Sequence, residues 1–129
     1  MNHHLVLIHI TCKASNISAT KSPKIMIISQ PNSSDLGACM ISDPSLVEIA
    51  DSLHCDVIAY DYSGYGCSTG YPSQEAIYSD IEGIYSFVST ELEYNDSDIL
   101  LFGFSMGTAA SIHLASIRQN AIILLSHLI

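Results

Sequence analysis

Positive charge is what this chain has least of. Four Lys+Arg stand against 13 Asp+Glu, a formal net charge of −9, and no lysine follows Lys24. Such a surface cannot track a phosphate backbone, so nucleic acid is excluded as a partner, and a polybasic membrane anchor is excluded with it. A cysteine motif is missing too: Cys12, Cys39, Cys55 and Cys67 are widely spaced, with no C-x-x-C. That spacing argues against a zinc or disulfide framework and for reduced, mostly buried thiols, so the expected location is the cytoplasm, with no metal and no cofactor. Long apolar runs are missing as well. Leu5 to Ile10 is too short for a signal peptide and has no basic flank, and Ala121 to Ile129 cannot span a bilayer, so no transmembrane segment is expected.

What is present is apolar. Of 129 residues, 48% are hydrophobic and only 13% charged, the balance of a single domain whose strands are buried on both faces. Strand-like and helix-like stretches alternate. Leu5 to Thr11, Lys24 to Ser29, Asp56 to Tyr60, Ile99 to Phe102 and Ala121 to Leu125 read as strands. Gln30 to Leu36 reads as a loop. Asp43-Pro44 is a helix start, an N-cap aspartate with proline at the first helical position. Leu46, Val47, Ile49, Ala50 and Leu53 form that helix's apolar stripe. Ser73 caps a longer helix whose face is Ile77, Ile81, Ile84, Tyr85, Val88 and Leu92. Strands joined by helical crossovers imply an α/β fold with a doubly wound, mostly parallel sheet.

One pentapeptide carries chemistry. Gly103-Phe104-Ser105-Met106-Gly107 follows a strand and precedes a small-residue helix that runs to about Arg118. G-x-S-x-G in that setting describes a nucleophile elbow, a strained turn that lifts the serine hydroxyl off the end of the sheet. The elbow glycines, Gly103 and Gly107, must be bare because side chains there would collide with the neighbouring strand and helix. The N–H of Met106, opening the helix, then points at a developing oxyanion. A glycine-bracketed serine in an ordinary strand-to-helix turn is the bland alternative.

The glycine-rich loop Asp61 to Gly70 invites a nucleotide-binding reading. A P-loop needs a lysine that is absent, and a dinucleotide fingerprint needs a glycine where Thr69 stands and a helix beginning inside the loop, whereas here it begins after Pro72.

Tyr60-Asp61-Tyr62-Ser63-Gly64-Tyr65-Gly66-Cys67-Ser68-Thr69-Gly70, followed by Pro72-Ser73, resembles the signature loop of the alpha/beta-hydrolase-domain 17 group. Asp35-Leu36-Gly37, Tyr78 with Ser79-Asp80-Ile81, and the elbow through Thr108 are similar to further segments of that group. The resemblance runs over roughly residues 4 to 128 and matches the N-terminal part of a complete domain. It implies an α/β-hydrolase fold truncated before its last strands, and a serine hydrolase of the esterase or thioesterase class that removes palmitate from protein cysteines. The implied substrate is an acyl ester or thioester, such as a palmitoylated protein, met peripherally at membranes. Ser105 takes the nucleophile's place and the Met106 N–H one oxyanion donor's. Asn32 takes the second donor's, in a segment reading Ser29-Gln30-Pro31-Asn32 where the group usually has Ser-His-Gly-Asn. Pro31 fixes its own φ and removes a donor there.

The larger departure is an absence. In this fold the order is serine, acid, histidine, yet no Asp or Glu occurs in the 24 residues after Ser105. His113 lies two turns into the following helix and His127 beyond the last strand, neither at a triad position. His3, His4, His9 and His54, on early strands or the first helix, read as surface or packing residues. Asp61, at a strand end, reads as an acceptor for loop N–H groups. Three readings stand: the front part of a serine hydrolase, a non-catalytic remnant or binding module of the same fold, and a small α/β nucleotide- or partner-binding domain. A final strand left at the edge of the sheet predicts self-association of the chain.

Overall fold

The computed structural model describes residues 4–18, 21–31, 36–41, 45–118 and 122–126. Five strands form one sheet: β1 (Leu7–Ile10), β2 (Ile25–Ser29), β3 (Asp56–Tyr60), β4 (Ile99–Phe104) and β5 (Ile122–Ser126), in the order β1-β3-β2-β4-β5. All neighbours run parallel except β1, which pairs antiparallel with β3. The helices are α1 (Lys13–Ser18), α2 (Leu36–Ile41), α3 (Leu46–Leu53), α4 (Gln74–Thr90) and α5 (Met106–Ile117).

The continuous apolar runs in β2 and β3 are those of central parallel strands, and every residue of both is buried. Side-chain alternation splits them into two cores. Ile25, Ile27, Ile58, Tyr60, Ile99 and Leu101 face α4 and α5, where Ile81, Ile84, Tyr85, Val88, Ala110 and Leu114 complete one cluster. Met26, Ile28, Val57 and Ala59 face the other way, against Leu36, Leu46 and Ala50 of α2 and α3. The helical face expected from Ile77 to Leu92 is the face α4 buries, and Ser73 caps it by accepting from the Ala76 N–H.

Four expectations change. α1 and α2 are six-residue helices in stretches without helical periodicity, α2 beginning at Leu36, the last residue of the expected loop. The N-cap of α3 is Ser45, whose hydroxyl accepts from the Glu48 N–H; Asp43 and Pro44 lie outside the described residues. Its stripe is also narrower than expected, because Leu46 and Ala50 alone are buried while Val47 and Leu53 are exposed. His54 is not in the helix but ends it, in the left-handed region at φ 52 and ψ 45.

Of the cysteines with described side chains, Cys12 and Cys55 are buried and Cys67 is exposed. Burial, then the Asp56 carboxylate, pushes the Cys55 thiol up to about 11. Since the thiolate is the nucleophile, iodoacetamide at pH 8 is expected to alkylate Cys67 in the native chain and to spare Cys12 and Cys55 until denaturant is added. Peptide mapping that found Cys55 modified as fast as Cys67 would contradict this packing.

Candidate active site

The chain leaves β2 for helices on one face and β4 for α5 on the other, so strand order reverses between these neighbours. Open α/β sheets bind ligands in the crevice beyond the carboxyl ends of strands at such a reversal. Ser105 stands there. It is the residue between the end of β4 and the start of α5, exposed, with φ 48 and ψ −111. Its hydroxyl makes no capping bond to α5, while its carbonyl accepts from the Thr108 N–H at 2.9 Å and the Thr108 hydroxyl at 2.6 Å. Met106, the first residue of α5, carries one of the N-terminal N–H groups that no intrahelical carbonyl can satisfy.

Sterics explain both glycines. Ser29 and Gly103 are paired in the β2–β4 register, so the elbow turns directly over the end of β2. A Cβ at Gly107 would lie 2.6 Å from the carbonyl carbon of Ser29. A Cβ at Gly103 would lie 2.6 Å from the Gly107 carbonyl carbon and 2.8 Å from the Thr108 Cα. All of these are main-chain atoms, so nothing can swing aside.

Buried polar groups cluster at the carboxyl ends of β2 and β3. The Ser29 and Tyr60 hydroxyls bond at 2.7 Å, the Gln30 side-chain amide donates to the Tyr60 carbonyl, and the Tyr62 hydroxyl donates to the Gln30 carbonyl at 2.6 Å. Burial pushes the Tyr60 phenol well above its ordinary range. Asp61 accepts the Leu36 N–H at 3.0 Å, the N–H-accepting role expected of it. Asp80 of α4 accepts from Ser63 twice, the N–H at 2.7 Å and the hydroxyl at 2.6 Å, and so ties the tyrosine-glycine loop to the helix. Asn32 and Asp35 lie outside the described residues.

The family model of the alpha/beta hydrolase fold matches residues 31–126. The chain belongs to the alpha/beta hydrolase fold family. It is 40% identical over 102 residues to the alpha/beta hydrolase domain-containing protein aho-3 of Caenorhabditis elegans, covering 79% of this chain and 30% of that protein. To the human alpha/beta hydrolase domain-containing protein 17C it is 32% identical over 108 residues, covering 83% of this chain and 32% of that protein. The chain thus spans about a third of the length of these curated relatives. Among solved structures, an alpha-beta serine hydrolase homologue from Coxiella burnetii superposes with a TM-score of 0.72 at 20% identity, over 96% of this chain and 61% of that one. Est1E from Butyrivibrio proteoclasticus, solved with bound ferulic acid, does so with 0.74 at 15% identity, over 95% and 47%.

The described histidines of this hydrolase-fold chain do not gather at Ser105. His113 stacks flat on Tyr78 of α4, with ring centroids 4.1 Å apart, and its Nε2 lies 3.7 Å from Glu82 Oε1. It packs α5 against α4. His4 and His9 are exposed on and beside β1, and His54 closes α3; His3 and His127 lie outside the described residues. A cavity of about 340 Å³, lined by Lys24, Met26, Leu53, His54, Cys55 and Leu100 among others, opens at the amino ends of the strands, the end away from Ser105. Among the described residues, no group of three or more His, Cys, Asp or Glu could hold a metal ion, and no helix is long and apolar enough to cross a membrane.

Gly103→Ala and Gly107→Ala are each expected to lower stability by about 1–3 kcal/mol or more, from overpacking against main chain. Gly83→Ala is the control. Nothing lies within 4 Å of a Cβ at this position of α4, and alanine there should stabilise by about 0.5–1 kcal/mol. Urea melts of the three variants check this, and equal effects at all three sites would show the elbow is not tightly packed.

Proposed function

We propose that this chain carries the nucleophile side of a serine hydrolase acting on carboxylic esters or thioesters. In this reading the Ser105 hydroxyl attacks the acyl carbon. The Met106 N–H, with the N–H of Asn32, stabilises the oxyanion, and the acid and histidine of the triad lie outside these 129 residues. The observation that carries it is the conformation of Ser105: a serine at φ 48, ψ −111, exposed at the switch of an open α/β sheet and flanked by two glycines that admit no side chain. Similarity to the domain-containing protein 17 group supports the finer substrate, an acyl thioester on a palmitoylated protein. Without base and acid Ser105 keeps an ordinary hydroxyl, so the triad's contribution, on the order of ten-thousand-fold in rate, is missing.

A fluorophosphonate probe tests this. The 129-residue chain is expected to label weakly, while a form extended through a downstream Asp and His labels once per chain, and Ser105→Ala abolishes the label. Labelling at another residue of the extended form would overturn the assignment of the nucleophile.

A second reading, a non-catalytic module of the same fold, is favoured by Gln30-Pro31 and by the burial of the Gln30 side chain against Tyr60. Self-association separates the two. Among the described residues β5 ends the strand order and pairs only with β4, and an open edge is a template for another chain. The isolated chain is therefore expected to sediment as oligomers at micromolar concentration. A monodisperse monomer with one cooperative melt would instead support the stand-alone module.

A further inference from the structure

The amino end of the sheet brings together two thiols that are far apart in sequence. The last pair of the antiparallel β1–β3 ladder is Ile10↔Val57, and two residues further along the same count Cys12 comes opposite Cys55. Main-chain bonds hold both residues there. The Cys12 N–H donates to Oδ1 of Asp56, the residue next to Cys55, at 2.9 Å, and the Cys55 N–H donates to the Ala50 carbonyl at 3.1 Å. Both side chains are buried in one apolar cluster, with Ile10, Val57 and Ala50, so they share a face of the sheet. The structure holds both as thiols. After burial and the Asp56 carboxylate, the Cys12 thiol is itself one of the groups that push the Cys55 thiol up, which again sets the two side by side. Opposed residues of antiparallel strands have Cα atoms about 4.5–5.5 Å apart, inside the range of about 4.4–6.8 Å that a disulfide spans. Cys55 also stands in the wall of the cavity of about 340 Å³ at this end, beside Lys24, Leu53 and His54, so a small solute can approach it there.

We propose that Cys12 and Cys55 form a redox modification site, a thiol pair that a peroxide entering this cavity converts into a disulfide joining the end of β1 to the start of β3. Cys55 meets the peroxide first, because it is the one in the cavity wall. Its thiolate attacks a peroxide oxygen: an S–O bond forms, the O–O bond breaks and hydroxide leaves. The Cys12 thiolate then attacks the Cys55 sulfur: the S–S bond forms, the S–O bond breaks and a second hydroxide leaves. The two thiol protons and the two hydroxides make two waters, the thiols having lost two electrons to the peroxide. The raised Cys55 thiol keeps the first step slow, so the bridge records sustained peroxide rather than a brief pulse. The pair lies at the end of the sheet away from Ser105, and it does not rest on the nucleophile reading.

Hydrogen peroxide on the 129-residue chain carrying Cys39→Ser and Cys67→Ser tests this, read by intact mass and by peptide mapping without reductant. The chain is expected to become about 2 Da lighter, two hydrogens lost, with one intramolecular peptide linking Cys12 to Cys55, and dithiothreitol should reverse both changes. Hydrogen exchange in β1 peptides should slow about tenfold in the bridged form, since β1 can no longer leave β3 at this end. Cys12→Ser should stop the mass loss and leave Cys55 as a sulfenic acid that dimedone traps. If that variant fails to fold, the linkage map of the parent chain still decides. Bridges only between chains, a bridge that forms only once urea is added, or oxygen gained at either cysteine without a bridge would each overturn the proposal. Unchanged β1 exchange in a bridged chain would overturn it too, since β1 would then not be locked.

Discussion

The end of the sheet where Ser105 stands depends on one close approach, that of Gly107 to the carbonyl of Ser29. The β2–β4 register pairs Ser29 with Gly103, so the chain must pass from strand to helix directly above a neighbouring strand end. The turn has room only if the helix's first residues lie flat on that strand, and a single residue must absorb the reversal. Ser105 does so at positive φ, and the rest of the elbow follows: a bare Gly103 beneath α5, a bare Gly107 above β2, and an exposed hydroxyl between them. The same contact orders the next layer, because α5 laid down in this way places Ala110 and Leu114 on the sheet and His113 toward α4.

Scarcity of positive charge shapes the interior as much as the surface. Asp56, Asp61 and Asp80 are all buried, in a chain with only four Lys+Arg to pair with its carboxylates. All three accept hydrogen bonds from N–H or hydroxyl donors. Asp56 accepts from the N–H groups of Cys12 and Ser22, Asp61 from Leu36, and Asp80 from Ser63. Each of these acids joins segments that are far apart in sequence. A buried carboxylate is tolerated only where such donors converge, so it fixes loops more tightly than an apolar contact of equal area would. The start of α2 and the loop after β3 are pinned in this way, whereas the surface pair Lys24–Asp98, at 3.1 Å and half exposed, adds little.

The features legible in the sequence were those written in local pattern. The unbroken apolar runs of β2 and β3, the 3.6-residue face of α4, its Ser73 cap and the glycine-bracketed serine all appear where the residues alone place them. What was hidden depends on distant partners or on segments too short to show a period. α1 and α2, at six residues each, span less than two turns and hold no recognisable stripe. The antiparallel direction of β1 is decided by its pairing with β3, which no residue of β1 announces. Val47 and Leu53 fit the apolar spacing of α3, yet the sheet beneath α3 covers only the Leu46 and Ala50 positions. Gln30 was legible as a departure from a family pattern, but its bond to the Tyr60 carbonyl was not, because a side-chain amide can find an acceptor on any neighbouring strand.

The conformation of Ser105 bears on use as well as on shape. Among the described residues two other non-glycine residues, His54 and Glu93, have positive φ, and His54 differs from Ser105 in kind. His54, at φ 52 and ψ 45, sits in the left-handed helical region and closes α3 by donating its N–H to the carbonyls of Ala50 and Asp51, a common helix ending. Ser105, at ψ −111, lies outside that region, in backbone space that glycine enters freely and a side chain enters at a cost of about 1–3 kcal/mol. Its hydroxyl returns no capping bond to α5 against that cost. A fold selected for stability alone would gain from glycine at this position. Stability does not account for the serine there; the nucleophile role proposed for its hydroxyl does, with the Met106 N–H next to it at the start of α5.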